Sequence, residues 1–448
     1  MTAAPLAPLD LAFWTLESVA HPMHMGALGV FTGAAPEAPG RAAGLLTERA
    51  EDVPGLGMRI RSVRIPMGAA VREPDPDFDP LDHVHLTAAT KDFHATAGEI
   101  MAAPLDRRRP PWEAHVLPAA DGTSFAVLFK FHHALADGLG ALMLACGIMD
   151  PDPAAEPRAP RPVRQQPSSR WPLPGPNPLQ LPGAVRRRAE EAGRALGIAA
   201  SVVGATLEIR TSPSLTAAAS GTRRTAGAVL DLDTVNRVRK QTGGTVNDLL
   251  IALVAGALRR WLDERGAAVD DVVPRALIPV SRRRPRTARP QGNQLSGYLL
   301  RLPVAEPDPL ARVRRIRADM DRNKQAGSDR GAGAVALLAE QVPPLGHRLA
   351  GPVLAQAARL LFDLMITSVP LPSLGMKLAG CPLAEVYPFA PLAHGQTLAV
   401  AVSTYRGKVH YGLIADGEAA PDLDRLAAAL GAELDALTTA VEQDPAVR

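Results

Sequence analysis

The 448-residue chain has few of the residues that mark several common classes of protein. Its only cysteines, Cys146 and Cys381, lie far apart in sequence, and its first residues show no secretory signal, so we expect a reducing, cytoplasmic setting. Aromatic residues make up 4% of the chain, and 49 Lys and Arg against 46 Asp and Glu leave a formal charge of +3. This composition does not indicate a nucleic-acid partner.

Long apolar runs are also missing. The apolar stretch over residues 330–369 is interrupted by Arg348, Arg359 and Asp363 and by three prolines. A helix that spans a bilayer needs roughly 18 or more uninterrupted apolar residues. We therefore expect a soluble protein, or one that associates only peripherally with a membrane.

Proline marks the clearest division of the chain. Residues 151–182 contain eleven prolines, a density that prevents regular helix or sheet. A chain of this length suits two domains, each with its own core. We expect a first domain over residues 1–150, a proline-rich linker with a crossover helix over 151–214, and a second domain over 215–448.

The sequence of the second domain contains both the alternating hydrophobic pattern of strands and the three-to-four-residue spacing of helices. Strands are predicted at residues 272–280, 294–304, 397–405 and 408–415, and helices at 246–264, 308–323 and 423–441. Arg406 and Gly407 lie between the last two strand patterns and predict a hairpin turn. These patterns indicate an α/β class in the mixed α+β sense, with mixed sheets covered by helices.

The most informative stretch is residues 131–138, which read Phe-His-His-Ala-Leu-Ala-Asp-Gly. They follow an alternating pattern from Ser124 that predicts a half-buried strand, so His132 and His133 should point to opposite sides. A histidine held at a strand end, with an ordinary pKa near ~6.5, can accept a proton at neutral pH. His133, on the side of the apolar residues, is therefore a candidate general base.

Three other interpretations of this stretch remain open. Asp137 has the position of an N-cap for the helix that Leu139 and the apolar residues after it predict, spaced like a buried helix face. His132 suits a structural role with both ring nitrogens satisfied. His133 and Asp137 are four residues apart, but no further ligand cluster accompanies them, so a metal site is disfavoured and none is predicted.

Several further stretches, taken in order, carry a resemblance to a known family. They are Pro-Leu-Ala-Pro-Leu-Asp at 5–10, Pro-Met-His-Met-Gly at 22–26, Pro-Leu-Asp-Arg-Arg-Arg-Pro-Pro-Trp-Glu at 104–113, Asn-Asp at 247–248, Pro-Val-Ser-Arg-Arg at 279–283, Gly-Asn-Gln-Leu-Ser at 292–296, Tyr-Pro at 387–388 and Pro-Leu at 391–392. With these residues the chain resembles the bacterial wax ester synthase/acyl-CoA:diacylglycerol acyltransferase family over almost its whole length.

The resemblance implies two domains similar to chloramphenicol acetyltransferase, with a tunnel between them where acyl-CoA and an alcohol meet. The family's His-His-x-x-x-Asp-Gly motif falls on His132, His133, Asp137 and Gly138, so the resemblance places His132, His133 and Asp137 among the catalytic residues and gives Gly138 a loop-supporting role. It implies that His133 is the base and that Asp137 holds the loop through an arginine, for which Arg283 is the candidate by position. Acyl-CoA would be a co-substrate, and no cofactor is implied.

The chemistry agrees with this resemblance, because the sequence lacks the usual marks of a covalent acyl-enzyme. It has no Gly-x-Ser-x-Gly elbow, and neither cysteine sits beside a histidine. A hydroxyl activated by His133 could attack the thioester directly. Asn293 and Ser296 are candidate oxyanion donors, although a polar strand start or a cap explains each equally well.

Other side chains in family-like positions have purely structural explanations as well. Asn247 could contact substrate, but Asn247 and Asp248 also suit a helix N-terminus. Trp112 and His24 are expected to be structural residues. Arg282, Arg283 and the arginines that follow them could meet the CoA phosphates or form an exposed basic loop.

The chain departs from the family at two places. The family often has Thr-Asn-Val-Pro-Gly-Pro where residues 367–372 read Thr-Ser-Val-Pro-Leu-Pro, and Ser where this chain has Ala7. Leu371 in place of a turn glycine removes access to positive φ, so another loop path and an altered acceptor preference are expected.

The leading hypothesis is an O-acyltransferase that moves a long acyl chain from CoA to diacylglycerol or a fatty alcohol. An alternative is a specialised-metabolism or condensation-type acyltransferase with a carrier-protein donor and an amine or polar alcohol acceptor. A hypothesis of another class is a non-catalytic lipid-binding or scaffold protein. The intact His133, Asp137 and Gly138 disfavour this last one.

Overall fold

Two large sheets and one small sheet carry the part of the chain described by the computed structural model, namely residues 3–63, 68–152, 215–281, 295–326, 362–369, 371 and 375–443. The strands are β1 Ala4–Pro5, β2 His24–Thr32, β3 Met58–Ser62, β4 Ala70–Pro74, β5 Val84–Leu86, β6 Trp112–Pro118, β7 Ser124–His132, β8 Asp150–Asp152, β9 Arg223–Asp231, β10 Arg275–Ser281, β11 Leu295–Arg301, β12 Leu364–Ser368, β13 Gly375–Leu378, β14 Cys381–Phe389, β15 Leu398–Tyr405 and β16 Lys408–Asp416.

Helices cover these sheets. Within the described ranges they are α1 Pro8–Leu16, α2 Ala38–Ala50, α3 Phe93–Ala102, α4 Gly138–Gly147, α5 Leu232–Thr242, α6 Val246–Glu264, α7 Pro309–Ala326 and α8 Leu423–Gln443. Short 3₁₀ turns lie at Pro80–Asp82 and Val269–Asp271. None of the helices in these ranges is long and apolar enough to cross a bilayer.

The first sheet has seven strands in the order β5-β6-β7-β2-β14-β13-β8. Its pairs are antiparallel except for β5 and β6, which run parallel. β7 is central and buried on both faces: Phe125 and Val127 pack into the core that includes α2, and Leu128 packs into the core that includes α3. The predicted half-buried strand was therefore wrong about exposure, because a central strand covered on both sides has no solvent face.

Strands from the last third of the chain complete this first sheet. β14 pairs with β2, and β13 joins β14 to β8, which begins the stretch predicted as linker. The predicted division at residues 1–150 and 215–448 stays a prediction, but the segment that holds β13 and β14 is hydrogen-bonded to the first of those ranges.

The second sheet has six strands in the order β11-β10-β12-β15-β16-β9. Its main core is shared with α5, α6, α7 and α8. The predicted helix at 246–264 is confirmed at both ends, and the predicted strands agree with β10, β11, β15 and β16 to within a few residues. The hairpin is confirmed too, since Arg406 (φ 46°) and Gly407 (φ 75°) both adopt the left-handed conformation that joins β15 to β16.

The two large sheets meet at a pair of glycines. Gly412 in β16 is paired with Gly227 in β9, and β14 packs across this part of the second sheet. A Cβ at Gly412 would collide with the Pro388 carbonyl, and one at Gly227 would collide with the Tyr387 ring. Because neither glycine has a side chain, the Tyr-Pro stretch of β14 can pack closely against the second sheet. We call this contact between Gly227, Gly412 and β14 the glycine notch.

Helix α4 follows the histidine motif as predicted, but its buried face is different. Leu139 and Met143 are 40% and 60% exposed, whereas Ala141 and Ala145 face the core. The helix is apolar all round, so spacing alone could not identify the inner face. The small alanines let the helix lie close to the core.

Candidate functional site

The histidine motif forms the connection between β7 and α4. The His132 N–H donates to the Pro111 carbonyl at 2.9 Å, and the His133 N–H donates to the Met23 carbonyl at 2.9 Å. The Leu135 N–H donates back to the His132 carbonyl at 2.9 Å, which closes the turn. The backbone on each side of His133 is thus fixed by hydrogen bonds to neighbouring segments.

The His133 ring lies against an aromatic residue and stays neutral. It stacks on Phe13 of α1, with ring centroids 4.1 Å apart and an interplanar angle of 22°. Burial, with the nearby His132 acting in the same direction, lowers the pKa of His133 to about 4, while the Asp137 carboxylate opposes this shift. At neutral pH the ring is an imidazole with a lone pair able to accept a proton.

His132 faces the other way and is fully buried. Its Nδ1 accepts the Ala134 N–H at 2.9 Å, its Nε2 lies 3.4 Å from Glu17 Oε2, and the edge of Trp14 packs at 5.0 Å between centroids. Both ring nitrogens therefore face protein groups and not a space open to substrate. This geometry favours the structural interpretation of His132 over its catalytic assignment.

Glu17 is a buried carboxylate that sequence inspection missed. Its side chain is 5% exposed, its Oε1 accepts the Met23 N–H at 3.2 Å, and Arg107 Nε lies 3.7 Å from its Oε2. Burial alone would raise the pKa of Glu17, but the contacts with His132, Met23 and Arg107 outweigh burial and lower it. The available signal was its place between the two amino-terminal family-like stretches.

The small sheet β1-β4-β3 supplies a second support for the motif. Arg72 of β4 donates to the Ala134 carbonyl at 2.8 Å, and the guanidinium lies 3.8 Å from the buried carboxylate of Asp10. Burial lowers the pKa of Arg72, and Asp10 opposes that shift. The family-like Pro-Leu-x-Pro-Leu-Asp stretch is thus connected to the residue that follows His133.

Asp137 is the N-cap of α4, in agreement with the capping interpretation that the sequence left open. Its carboxylate accepts the Gly140 N–H at 2.8 Å, and the residue is 9% exposed. Gly138 opens the helix, and a Cβ there would lie 3.7 Å from Val369. Val369 follows β12 in the second sheet, so the motif reaches the junction of the two large sheets.

Residues 367–372, where the sequence departs from the family pattern, lie at this same junction. The Val369 N–H donates to the Val402 carbonyl at 2.9 Å, and its own carbonyl accepts the Ser403 hydroxyl at 2.8 Å. Leu371 packs against the core of the first sheet. Ser368 and Leu371, which differ from the family pattern, therefore lie one and two residues from Val369, the neighbour of the first residue of α4.

The remaining candidates are not brought to the motif by the described structure. Arg283 and Asn293 lie outside the described residues, as do Arg282 and the basic stretch that follows it. Ser296 lies in the edge strand β11, where its backbone pairs with Val280, and its side chain is not among those described. Asn247 is the second residue of α6 and is half-buried.

The cap predicted at Asn247 and Asp248 lies slightly earlier, at Thr245. Thr245 caps α6 by accepting the Asp248 N–H at 3.2 Å, and Asp248 accepts the Thr245 N–H at 2.8 Å. This reciprocal capping box gives Asp248 a structural function. The sequence identified the helix terminus, but it named the residues of the first turn as the cap.

Two further family-like residues are structural, as expected. His24 is buried on β2, and its Nε2 lies 2.8 Å from the Met101 carbonyl. Trp112 is 1% exposed and donates from Nε1 to the Leu56 carbonyl at 2.8 Å. Each ring is anchored through one nitrogen by a backbone carbonyl inside the core.

Comparisons with known proteins agree with this architecture. The family model "Wax ester synthase/diacylglycerol acyltransferase catalytic domain" matches residues 6–250, and the "WS/DGAT C-terminal domain" matches residues 291–438. A relative named probable diacylglycerol O-acyltransferase tgs2, from Mycobacterium tuberculosis, is 32% identical over 458 residues, covering 97% of this chain and 99% of the relative. A second protein of that organism, probable diacylglycerol O-acyltransferase tgs1, is 29% identical over 439 residues, covering 94% of this chain and 93% of its own length.

Solved structures show the same fold. The wax ester synthase/diacylglycerol acyltransferase of Marinobacter aquaeolei VT8 superimposes with a TM-score of 0.70 at 24% identity, covering 99% of this chain and all of the other. The TRI3 trichothecene 15-O-acetyltransferase of Fusarium sporotrichioides has a TM-score of 0.60 at 13% identity, covering 97% of this chain and 95% of its own. The predicted mixed α/β, two-domain fold is confirmed, and the chain belongs to the wax ester synthase/diacylglycerol acyltransferase family.

Proposed function

We propose that the protein transfers the acyl group of a long-chain acyl-CoA to the hydroxyl of diacylglycerol or a long-chain alcohol, with His133 as general base. Family membership supports the reaction class. The observation that supports the residue is the neutral His133 imidazole, held by hydrogen bonds of its neighbouring backbone and by the Phe13 ring.

The proposed step is a direct exchange between two acyl acceptors. His133 takes the proton of the alcohol while the alcohol oxygen attacks the thioester carbonyl, and a tetrahedral oxyanion forms. Its collapse breaks the carbon–sulfur bond, and the CoA sulfur leaves with the proton returned from His133. The ester and free CoA are the products, so atoms and charges balance without a cofactor.

The described thiols do not favour a covalent acyl-enzyme. Burial raises the pKa of the Cys146 thiol to about 11 and also raises the pKa of Cys381. Neither side chain therefore supplies a thiolate at neutral pH. A single-displacement reaction with the alcohol as nucleophile is the simpler chemistry for this site.

Diacylglycerol is the acceptor that we propose to test first. The relatives with the highest identities cited above are named diacylglycerol O-acyltransferases. Leu371 replaces the family's turn glycine beside the junction that Val369 forms with Gly138. We propose that this substitution reshapes the acceptor side of the site and changes the range of alcohols accepted.

Such acceptors reside in lipid phases, so we also propose peripheral association with a membrane or lipid body. Leu139 and Met143 are one turn apart on α4, directly after the motif, and both are exposed. Replacing both with Glu should reduce co-sedimentation with diacylglycerol-containing vesicles. Val273→Glu, at an exposed apolar position of the second half, is the control, and equal loss in the control would contradict a role for α4.

The function is tested by measuring CoA release with palmitoyl-CoA and, in turn, diacylglycerol, hexadecanol and short polar alcohols. We expect release with the lipid acceptors and a loss of about 10²–10⁴-fold in His133→Ala, the usual contribution of a general base. Circular dichroism and thermal unfolding should show that the variant is folded. Undiminished release by folded His133→Ala would refute the mechanism, and no release with any acceptor would refute the activity.

A further inference from the structure

We propose that Glu17 is a positioning residue for His133, acting through His132 and Met23. This inference rests on the proposed role of His133 as the base. Glu17 is 5% exposed and lies immediately after α1, the helix that supplies Phe13 to stack on the His133 ring. Its two carboxylate oxygens contact two different segments that flank the base.

The contacts form a closed ring around His133. Starting from Glu17, Oε1 accepts the Met23 N–H at 3.2 Å, and the Met23 carbonyl accepts the His133 N–H at 2.9 Å. In the other direction, Oε2 lies 3.4 Å from His132 Nε2, and His132 Nδ1 accepts the Ala134 N–H at 2.9 Å. His133 is covalently bonded to His132 and Ala134, so the ring fixes its backbone before and after the residue.

The direction of the hydrogen bonds assigns the His132 tautomer. Nδ1 accepts a backbone N–H, so it carries no proton. A neutral His132 must then carry its proton on Nε2, which faces the Glu17 carboxylate. The 3.4 Å separation is longer than an ordinary hydrogen bond, so the attraction is mainly that of an ion for a facing N–H dipole.

The surroundings keep Glu17 ionised for this purpose. Its contacts with His132, Met23 and Arg107 lower its pKa despite burial. Arg107 is itself fixed, because it donates to the Trp14 carbonyl at 2.8 Å and its guanidinium lies 3.7 Å above the Trp14 ring. A buried carboxylate with this many oriented partners has one geometry and transmits it to the base.

Removing the Glu17 carboxylate should make the position of His133 less fixed while leaving the imidazole itself in the site. In Glu17→Ala the Met23 N–H loses its acceptor and the His132 Nε2 loses the facing carboxylate, so the segments on either side of His133 can shift. A misplacement of about 1 Å costs roughly 10²-fold in rate. We expect kcat to fall about 10²-fold in Glu17→Ala, with KM changed by less than about threefold, because Glu17 does not touch substrate.

Glu17→Gln serves as the graded variant. Its amide oxygen can face Met23 or His132 but not both, and its NH₂ group then opposes the other donor. We expect about a tenfold loss of kcat, between wild type and Glu17→Ala, which corresponds to the loss of one such contact. The same two variants should shift the ring-nitrogen resonances of His132 in ¹⁵N-histidine-labelled protein without substrate.

Glu433→Gln is a matched control. Glu433 is an equally buried carboxylate, 1% exposed and paired with Arg260 and Arg312 in the second half of the chain. Its substitution should lower thermal stability but leave kcat per folded molecule within about twofold of wild type. A merely structural role of Glu17 would give the same pattern as Glu433.

The double variant Glu17→Ala/His133→Ala separates the two proposals. If Glu17 acts through His133, the double variant should be no slower than His133→Ala alone. The positioning proposal is overturned by an additional loss in the double variant, by unchanged kcat in Glu17→Ala, or by unchanged His132 resonances. Full activity of His133→Ala would instead overturn the proposed function, whatever Glu17→Ala shows.

Discussion

The His133 ring is neutral in the folded protein because it is buried beside Phe13 and near His132, and this neutrality has a kinetic signature. The acid limb of a kcat/KM profile reports the pKa of the free enzyme's base. With a pKa of about 4 for His133, kcat/KM should stay flat as the pH falls from 8 to about 5.5. Initial rates across this range, at subsaturating acyl-CoA, test the expectation.

An acid limb centred near pH 6.5 would contradict it, because that is the ordinary pKa of an exposed histidine. Thermal unfolding at each pH is the control, since loss of folded protein would also lower the rate. The Glu113→Gln variant is the control for losing a negative charge elsewhere in the first sheet. Its carboxylate interacts with Lys130 and His115 and does not contact the motif, so the profile should keep its shape.

Sequence reasoning reached part of this site and missed the rest for a physical reason. His133, the structural role of His132 and the cap at Asp137 follow from local patterns, namely strand alternation and turn chemistry. Glu17 and Arg72 were missed because their partners are 115 and 62 positions away, and only the assembled fold brings them to the motif. Arg283 and Asn293 remain predictions.

In helix α4, Asp137 both caps the helix and places a negative charge near His133, and different substitutions can separate these two functions. Asn caps helices about as well as Asp, whereas Ala costs about 1 kcal/mol of stability. Asp137→Ala should therefore lower the unfolding temperature, and Asp137→Asn should not. Both should reduce kcat by roughly tenfold, because the imidazolium that forms on His133 loses a nearby negative charge.

Differential scanning calorimetry and CoA-release assays on the two variants measure these effects together. A fully active Asp137→Asn would show that the cap alone matters. A destabilised Asp137→Asn would show that the charge has a structural function beyond the hydrogen bond to Gly140.

The elements themselves were largely predictable, and their exposure was not. Hydrophobic period alone located α6 and the β15–β16 hairpin, since both have strong local signals. Period could not show that β7 is covered on both faces, or that the alanines of α4 form its inner face. Those properties depend on what packs against the element, which a single sequence does not show.

At the scale of the molecule, the glycine notch holds the two large sheets together. A Cβ at Gly412 would collide with the Pro388 backbone carbonyl, which belongs to a paired strand and cannot turn aside. We expect Gly412→Ala to lower the free energy of unfolding by about 1–3 kcal/mol, as overpacking does in cores. Urea denaturation measures the change.

Gly431→Ala is the matched control on α8. No atom lies within 4 Å of the position that its Cβ would occupy. Ala should stabilise this helix by about 0.5–1 kcal/mol. If Gly412→Ala were as well tolerated as Gly431→Ala, the close approach of β14 to β16 would be wrong.

Histidines govern how the stability of the whole protein depends on pH. Burial lowers the pKa of His21 and His133 to about 4, and it lowers the pKa of His24, His83, His85, His94 and His410 as well. Between about pH 6.5 and 4 the unfolded chain therefore binds more protons than the folded protein, so stability falls as the pH falls. The unfolding temperature should drop steadily from pH 7 to about 5.5, above the range in which carboxylates of ordinary pKa bind a substantial fraction of a proton. An unchanged unfolding temperature across that interval would contradict these pKa shifts.

The position of β14 also has a consequence for the order in which the protein can mature. This strand is made late in synthesis, yet it pairs with β2, whose other edge carries β7 and the histidine motif. A nascent chain of about two hundred residues would thus present β2 as an open edge, and open edges invite pairing with other chains. The sheet that carries His133 is completed only after the ribosome has delivered residues 381–389, so assembly of the site and completion of the chain are coupled events.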